Sequence, residues 1–197
     1  MTKTWSNTAE GVVFTLRLPR IIGAVLVGSA LSLSGAAYQG VFKNPLVAPD
    51  LLGVSSGACV GASVAILLHL NSFGVQAMAF VAGIWAVGLT LFIPRLIKNT
   101  NMTMLVLSGI IVKGIMDSVM GIIKYVADPE TELQSITYWQ LGSLTKVLPK
   151  DLFTVGPVIV AASVIIFSSD GGLIFFHWET EKQRHWAFQL QLFETLL

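Results

Sequence analysis

Charge is the scarcest property of this chain. Only 12% of its 197 residues are Asp, Glu, Lys or Arg, against about 25% in a typical soluble domain. No charged residue occurs from Ile21 to Phe42 or from Leu51 to Pro94. Uncharged apolar runs of that length are typical of helices that cross a lipid bilayer. The composition therefore excludes a soluble domain and predicts an all-α, polytopic transmembrane helix bundle with about five spans.

Cysteine, histidine and catalytic motifs are also scarce. The single cysteine, Cys59, lies inside an apolar run, so we interpret it as a small packing residue. His69, His177 and His185 lie at span ends or in the tail. The sequence has no Ser–His–Asp arrangement, no HExxH pattern and no phosphate-binding lysine loop. We therefore predict no catalytic residue, no metal site and no cofactor, and the net charge of +1 offers no basic face to a nucleic acid.

The positions of the apolar runs and of the prolines predict where the spans lie. Pro19 suits the first turn of the first helix, where its missing N–H costs nothing. Pro45 and Pro49 break the chain between the first two spans. Residues 127–151 form the longest polar connection. The predicted spans cover about residues 18–42, 51–68, 73–93, 103–126 and 152–167, and the last could extend to 176.

The distribution of Lys and Arg does not orient these spans. Five spans divide the connections between two sides of the membrane, and the more positive side would face the cytoplasm. One side carries Lys3, Arg17, Arg20, Lys146 and Lys150, and the other carries Lys43, Arg95, Lys98, Lys182 and Arg184. The two sets are equal, so charge bias leaves the orientation open.

Small residues and isolated charges mark candidate functional positions within the spans. Gly53, Gly57 and Gly61 recur at four-residue spacing, which favours close helix packing in lipid. Lys113 and Asp117 lie four residues apart in the fourth span, where a charge must be paired or face a cavity. They are interpreted either as the lining of a solute pathway or as an intrahelical ion pair that assists packing.

Polar residues at the ends of the first span also have two readings. Arg17 and Arg20 could be interfacial anchors, or they could dock an acidic protein surface. Gln39 and Asn44 could satisfy backbone groups that the break at Pro45 frees, or they could line a gate.

Several of these motifs, taken together and in order, resemble the FecCD family of ABC-transporter permeases. The motifs are RLPR at Arg17–Arg20, the long pattern NPLVAPDLLGVSSGA from Asn44 to Ala58, Leu107-Ser108-Gly109, and WQLGS from Trp139 to Ser143. The resemblance covers about residues 16–166. It implies the type II importer fold of permeases for cobalamin, iron–siderophore complexes and haem.

The resemblance also implies partners and an orientation. The expected partners are a second permease subunit in a homo- or heterodimer, separate ABC ATPase subunits and an extracytoplasmic solute-binding protein, in a multi-pass protein of the cell membrane. Arg17 and Arg20 would then face outside and dock glutamates of the binding protein, for which the guanidinium fork is suited.

Two further sets of residues match functional elements of the family. Asn44, Pro45 and Leu46 match the cytoplasmic gate loop, and Thr103 lies at the end of the second gate element. The fourth span lines the translocation path in the family, which favours Lys113 and Asp117 as lining residues, with Gln39 as a further candidate. These roles are what the resemblance implies for these residues.

The pattern stops before the end of the chain. Family members have about ten helices and a cytoplasmic coupling segment, but residues 177–197 show no match to that segment. We therefore divide the chain into a partial permease domain, residues 1–176, and an atypical tail, residues 177–197. The expected product is a truncated permease, either one that carries a metal chelate such as an iron–siderophore complex, cobalamin or haem, or a non-transporting structural partner.

Overall fold

A computed structural model describes residues 11–99 and 101–168, and this part of the chain contains helices and no strand. A π-helical stretch, Val12–Arg17, leads into the first α-helix, and two 3₁₀ turns cover Pro49–Leu52 and Leu144–Lys146. The all-α prediction is confirmed. The six α-helices are α1 (Leu18–Phe42), α2 (Val54–Leu67), α3 (Ser72–Leu96), α4 (Met102–Val126), α5 (Glu132–Leu141) and α6 (Pro149–Ile166).

Four helical segments of the described chain are long and apolar enough to cross a membrane. They are Val12–Phe42, Ser72–Leu96, Met102–Val126 and Pro149–Ile166. The second predicted span differs, because α2 has only 14 residues and is about 21 Å long, whereas a bilayer core is about 30 Å thick. The last two residues of the Pro49–Leu52 turn and Gly53, whose φ is 74°, occupy the first residues of that predicted span.

One helix lies within residues 127–151, which the sequence analysis treats as a polar connection. Its start is stabilised by Asp128, whose backbone N–H donates to Glu132 Oε2 at 3.0 Å and whose carboxylate accepts from Thr131 Oγ1 at 2.6 Å. One side of α5 is anchored by Ile136, which is fully buried. A single buried residue gives too weak an apolar period for the pattern to predict a helix.

The described residues fold as two compact units. The first contains residues 11–48 and 144–168, with α1 packed on α6. The second contains residues 49–143, with α2 packed on α3 and both in contact with α4. Its buried residues include Ile136, Val112, Met116, Met120 and Ile123. The predicted tail, residues 177–197, lies outside the described residues.

Candidate membrane-depth site

The Pro49–Leu52 turn is attached to α3 and α4 by its own backbone. The Leu52 carbonyl accepts a hydrogen bond from Thr90 Oγ1 at 3.0 Å, and the Thr90 side chain is buried. The Leu51 carbonyl lies so close to Gly109 that there is no room for a side chain there. Buried carbonyl groups need such partners in a low-dielectric environment.

These contacts place the turn well inside the membrane-crossing part of the unit. Thr90 lies six residues before Leu96, the end of α3, which corresponds to about 9 Å. Lys113 lies eleven residues after Met102, the start of α4, or about 16 Å. The turn therefore lies about 9–16 Å from this end of α3 and α4, and α2 begins near mid-depth, where Gly53 lies beside the Lys113 backbone. Interrupted helices of this kind are found in membrane proteins where backbone lines a cavity or is covered by protein.

An ion pair closes the turn onto α4. Lys113 Nζ donates to Asp50 Oδ2 at 3.0 Å, with 48% and 38% of the two side chains exposed. Asp50 Oδ1 also accepts the backbone N–H of Ser55 at 3.3 Å, where a carboxylate is favoured by the helix dipole of α2. Asp117 attracts the Lys113 ammonium electrostatically. The direct partner of Lys113 is thus Asp50, on another element, and not the intrahelical partner that was one of the two readings.

Part of the exposed side of α4, called the α4 face below, carries small and polar residues beside exposed apolar ones such as Ile110 and Ile122. Gly114, Asp117, Ser118 and Gly121 are exposed, and both glycines have open space where a side chain would stand. Their spacing of three and four residues puts them on one face of the helix. Thr103 is exposed near the start of the same helix. The described chain thus presents polar groups at membrane depth, where facing lipid would be costly.

The glycines at four-residue spacing, Gly53, Gly57 and Gly61, have two different roles. A Cβ at Gly57 would lie 2.5 Å from Ala86 Cβ, and one at Gly61 would lie 2.5 Å from Ala82 Cβ. These two glycines therefore let the backbones of α2 and α3 approach closely. Gly53 lies before α2 in left-handed backbone with φ 74°, a conformation that glycine adopts without strain.

The predicted gate residues lie in the first unit, at the end of α1. Lys43 ends the helix in left-handed backbone with φ 49°. Asn44 Oδ1 then accepts the backbone N–H of Leu46 at 2.9 Å, which forms a side-chain turn around Pro45. Leu46 is 89% exposed. The carbonyl of Gln39 accepts the Asn44 N–H at 3.2 Å, while its side chain is half-buried.

Arg17 and Arg20 lie at the other end of α1. They are three residues apart, so they share one side of the helix. Arg17 is exposed, and Arg20 is half-buried. The Arg20 Nε atom is buried without a hydrogen-bond partner among the described residues.

Sequence reasoning missed Asp50, which lies at the end of the predicted connection between the first two spans. The signal was Lys113 itself, since an ammonium group deep in a span requires a carboxylate partner. Asp50 was one of the few acidic residues at a span end. Pattern alone could not choose it over Asp117, because the depth of the Pro49–Leu52 turn depends on the fold.

Comparisons with known proteins identify the family. The FecCD transport family model matches residues 1–173. The chain is 34% identical to the molybdate import system permease protein MolB of Haemophilus influenzae, over 80% of this chain and 47% of MolB. It is 36% identical to the cobalamin import system permease protein BtuC of Halobacterium salinarum, over 82% of this chain and 44% of BtuC. The hemin transport system permease protein HmuU of Yersinia pestis is 34% identical, over 82% and 51% of the two chains.

A solved structure has the same fold. It is described as an inward-facing conformation of a metal-chelate type ABC transporter, and it matches with a TM-score of 0.80 and 28% identity over 94% of this chain and 59% of that one. The chain spans about half the length of the curated relatives it matches. The resemblance predicted from RLPR and the NPLVAPDLLGVSSGA pattern is confirmed, and the chain belongs to the FecCD transport family.

Proposed function

We propose that this chain acts in the cell membrane as part of a permease of an ABC importer for a metal chelate. The observation that supports this most strongly is the α4 face. In a chain of the FecCD family, it exposes Asp117 and Ser118 on a helix that is apolar enough to span a bilayer. A permease has no reaction to catalyse, so ATP hydrolysis would occur on separate ATPase subunits.

The proposed mechanism is alternating access between two permease subunits. A solute-binding protein docks on Arg17 and Arg20, and the solute passes along the α4 face that includes Thr103, Lys113 and Asp117. The loop of Asn44, Pro45 and Leu46 then opens toward the cytoplasm. The exposed Leu46 and the single side-chain bond that shapes its loop suit a segment that changes conformation.

The solute is proposed to be a metal chelate, with an iron–siderophore complex as the first candidate and cobalamin or haem as the second. The relatives named above import molybdate, cobalamin and hemin, according to their names. Two of those three solutes are metals held in large organic chelators, which favours a chelate over a bare ion.

Co-purification of an ATPase subunit and stimulation of its ATP hydrolysis test the proposal. The chain is co-expressed with an ABC ATPase and a solute-binding protein from the same genome, purified and reconstituted in liposomes. We expect the ATPase to co-purify and its hydrolysis rate to rise when the loaded binding protein is added. Failure of the ATPase to associate would contradict the proposal and favour a non-transporting membrane partner.

Reversing the charge of Arg17 and Arg20 is expected to weaken docking of the binding protein by at least about tenfold, since charged pairs across an interface contribute this much or more. Docking is measured as the Kd of the binding protein for the reconstituted complex. Lys43→Glu is the matched control, because it reverses an exposed charge at the far end of the same helix. An unchanged Kd in Arg17→Glu/Arg20→Glu would refute the docking role.

Removing the Asn44 side chain is expected to alter solute release and leave docking unchanged. Asn44→Ala loses the hydrogen bond to the Leu46 N–H, so the loop should open more easily and passive leak of a trapped solute from liposomes should rise. The Asn44→Asp protein keeps an acceptor oxygen and should leak less than the Asn44→Ala protein. Ser29→Ala is the control, because it also removes one side-chain hydrogen bond. That bond lies within α1 and joins the Ser29 hydroxyl to the Leu26 carbonyl at 3.0 Å. Equal leak from the Asn44→Ala and Ser29→Ala proteins would contradict the gate role.

A further inference from the structure

The charges of the second unit are ordered along α4. Basic residues occupy the end where α4 begins, and most acidic residues occupy the end where it stops. The first group is Arg95 and Lys98, and the second is Asp128, Glu130 and Glu132, accompanied by Lys124. A third group, Asp50, Lys113 and Asp117, lies between them at mid-depth.

The mid-depth group has one negative charge in excess. Lys113 is matched by Asp50, which it contacts at 3.0 Å. Asp117 is exposed, and no described residue forms an ion pair with it. Lys124 lies two turns further along α4, near the end of the helix, where its ammonium donates to Gln140 Oε1. At that distance, and close to water, Lys124 compensates Asp117 weakly.

The surface around Asp117 leaves this charge open. Gly114 and Gly121, one turn to either side, present no side chain and have open space beside them. The Ser118 hydroxyl donates back to the Gly114 carbonyl at 2.7 Å, so it is not directed at the Asp117 carboxylate. Within a transport path lined by low-dielectric walls, a single charge would act further than in bulk water, because the walls concentrate its field.

We propose that the α4 face gives the transport path a negative potential at mid-depth, so that the path accepts cationic or neutral chelates in preference to oxyanions and other anionic complexes. This inference rests on the proposed function, because it requires the α4 face to line the path. The Asp117 carboxylate gives this electrostatic potential its negative sign.

Charged thiol reagents test the proposal without knowledge of the solute. The test protein is the full chain with the substitutions Cys59→Ser and Ser118→Cys, reconstituted in the liposome complex described above. Its modification rates are measured with two methanethiosulfonates of similar size, one carrying a trimethylammonium group and one a sulfonate. Ser72→Cys, at an exposed position where α3 begins, corrects for the intrinsic difference between the reagents.

The cationic reagent is expected to modify the Ser118→Cys protein about tenfold faster than the anionic one, relative to the control site, which is the scale for one charge a few ångströms away in partial contact with water. Adding Asp117→Asn should remove that preference. Gly121→Cys, on the same face, is a second reporter if the Ser118→Cys protein does not assemble.

Failure of the lining role and failure of the charge inference give different results in this experiment. If neither reporter reacts with either reagent, the α4 face is not wet, and both the lining role and the charge inference are refuted. If the reporters react but show no preference, or prefer the anionic reagent, the lining role stands and the charge inference is overturned. A preference that persists in Asp117→Asn also overturns it, because another group would then set the potential.

Discussion

Placing a side chain at Gly61 is expected to destabilise the second unit more than any other single change considered. In Gly61→Ala the new Cβ would overlap the Met78 carbonyl and stand 2.5 Å from Ala82 Cβ. Both obstacles belong to α3 and one is backbone, so α2 and α3 must move apart. We expect a loss of about 2–3 kcal/mol for alanine and more for Gly61→Leu. The measurement is the thermal unfolding midpoint of the detergent-solubilised protein.

Gly88→Ala is the matched control for this prediction. Gly88 lies in α3, the helix that packs against Gly61, and a Cβ there would meet nothing within 4 Å. The added methyl should leave the midpoint unchanged or raise it slightly, because alanine favours the helix by about 1 kcal/mol over glycine. Equal midpoints for Gly61→Ala and Gly88→Ala would show that α2 and α3 are not in close backbone contact.

Neutralising Lys113 alone is expected to have the second largest effect. Lys113→Met leaves the Asp50 carboxylate at membrane depth without its counter-charge, and an unpaired charge there is costly. Because Asp50 keeps its bond to the Ser55 N–H and 38% of its side chain is exposed, we expect about 2 kcal/mol, less than for a fully buried pair. The unfolding midpoint is again the measurement.

A double-mutant cycle isolates the ion pair. Asp50→Asn should also be destabilising, while Asp50→Asn/Lys113→Met should cost less than the two single changes together, because no charge is left alone. Lys124→Met is the control: it removes the same side chain from the same helix, near its end, where the ammonium donates to Gln140. A strictly additive cycle would mean that the 3.0 Å contact between Asp50 and Lys113 contributes nothing to stability.

The sequence predicts the long helices well because lipid imposes a simple rule. A segment that crosses the hydrocarbon core can have few charges, and this identifies α1, α3, α4 and α6 to within a few residues at most ends. The same rule fails for α5, which lies among the charges of residues 127–151. A short helix with one fully buried residue, Ile136, gives a weak periodic signal.

Composition was equally unable to show that α2 is short. Residues 51–68 contain no charged residue and no proline, so neither marks where the turn ends and the helix begins. Gly53 could equally be a helix-packing glycine or a turn residue, and only its φ of 74° decides between them. The candidate site depends on this distinction, because Asp50 reaches Lys113 only if the turn lies at mid-depth. Pairings across elements depend on depth and register, which local patterns do not contain.

The mid-depth start of α2 has an electrical consequence. A membrane potential falls across the low-dielectric layer between two aqueous phases, and moving one charge through 100 mV involves about 2.3 kcal/mol. Where water reaches the Pro49–Leu52 turn from the Arg95 end, the insulating layer beside α2 is reduced to about the length of that helix, roughly 21 Å. The voltage gradient is then steeper along α2 than along its longer neighbours. Asp50 and Lys113 would lie where that gradient begins, so separating the two charges along the membrane normal would depend on the membrane potential.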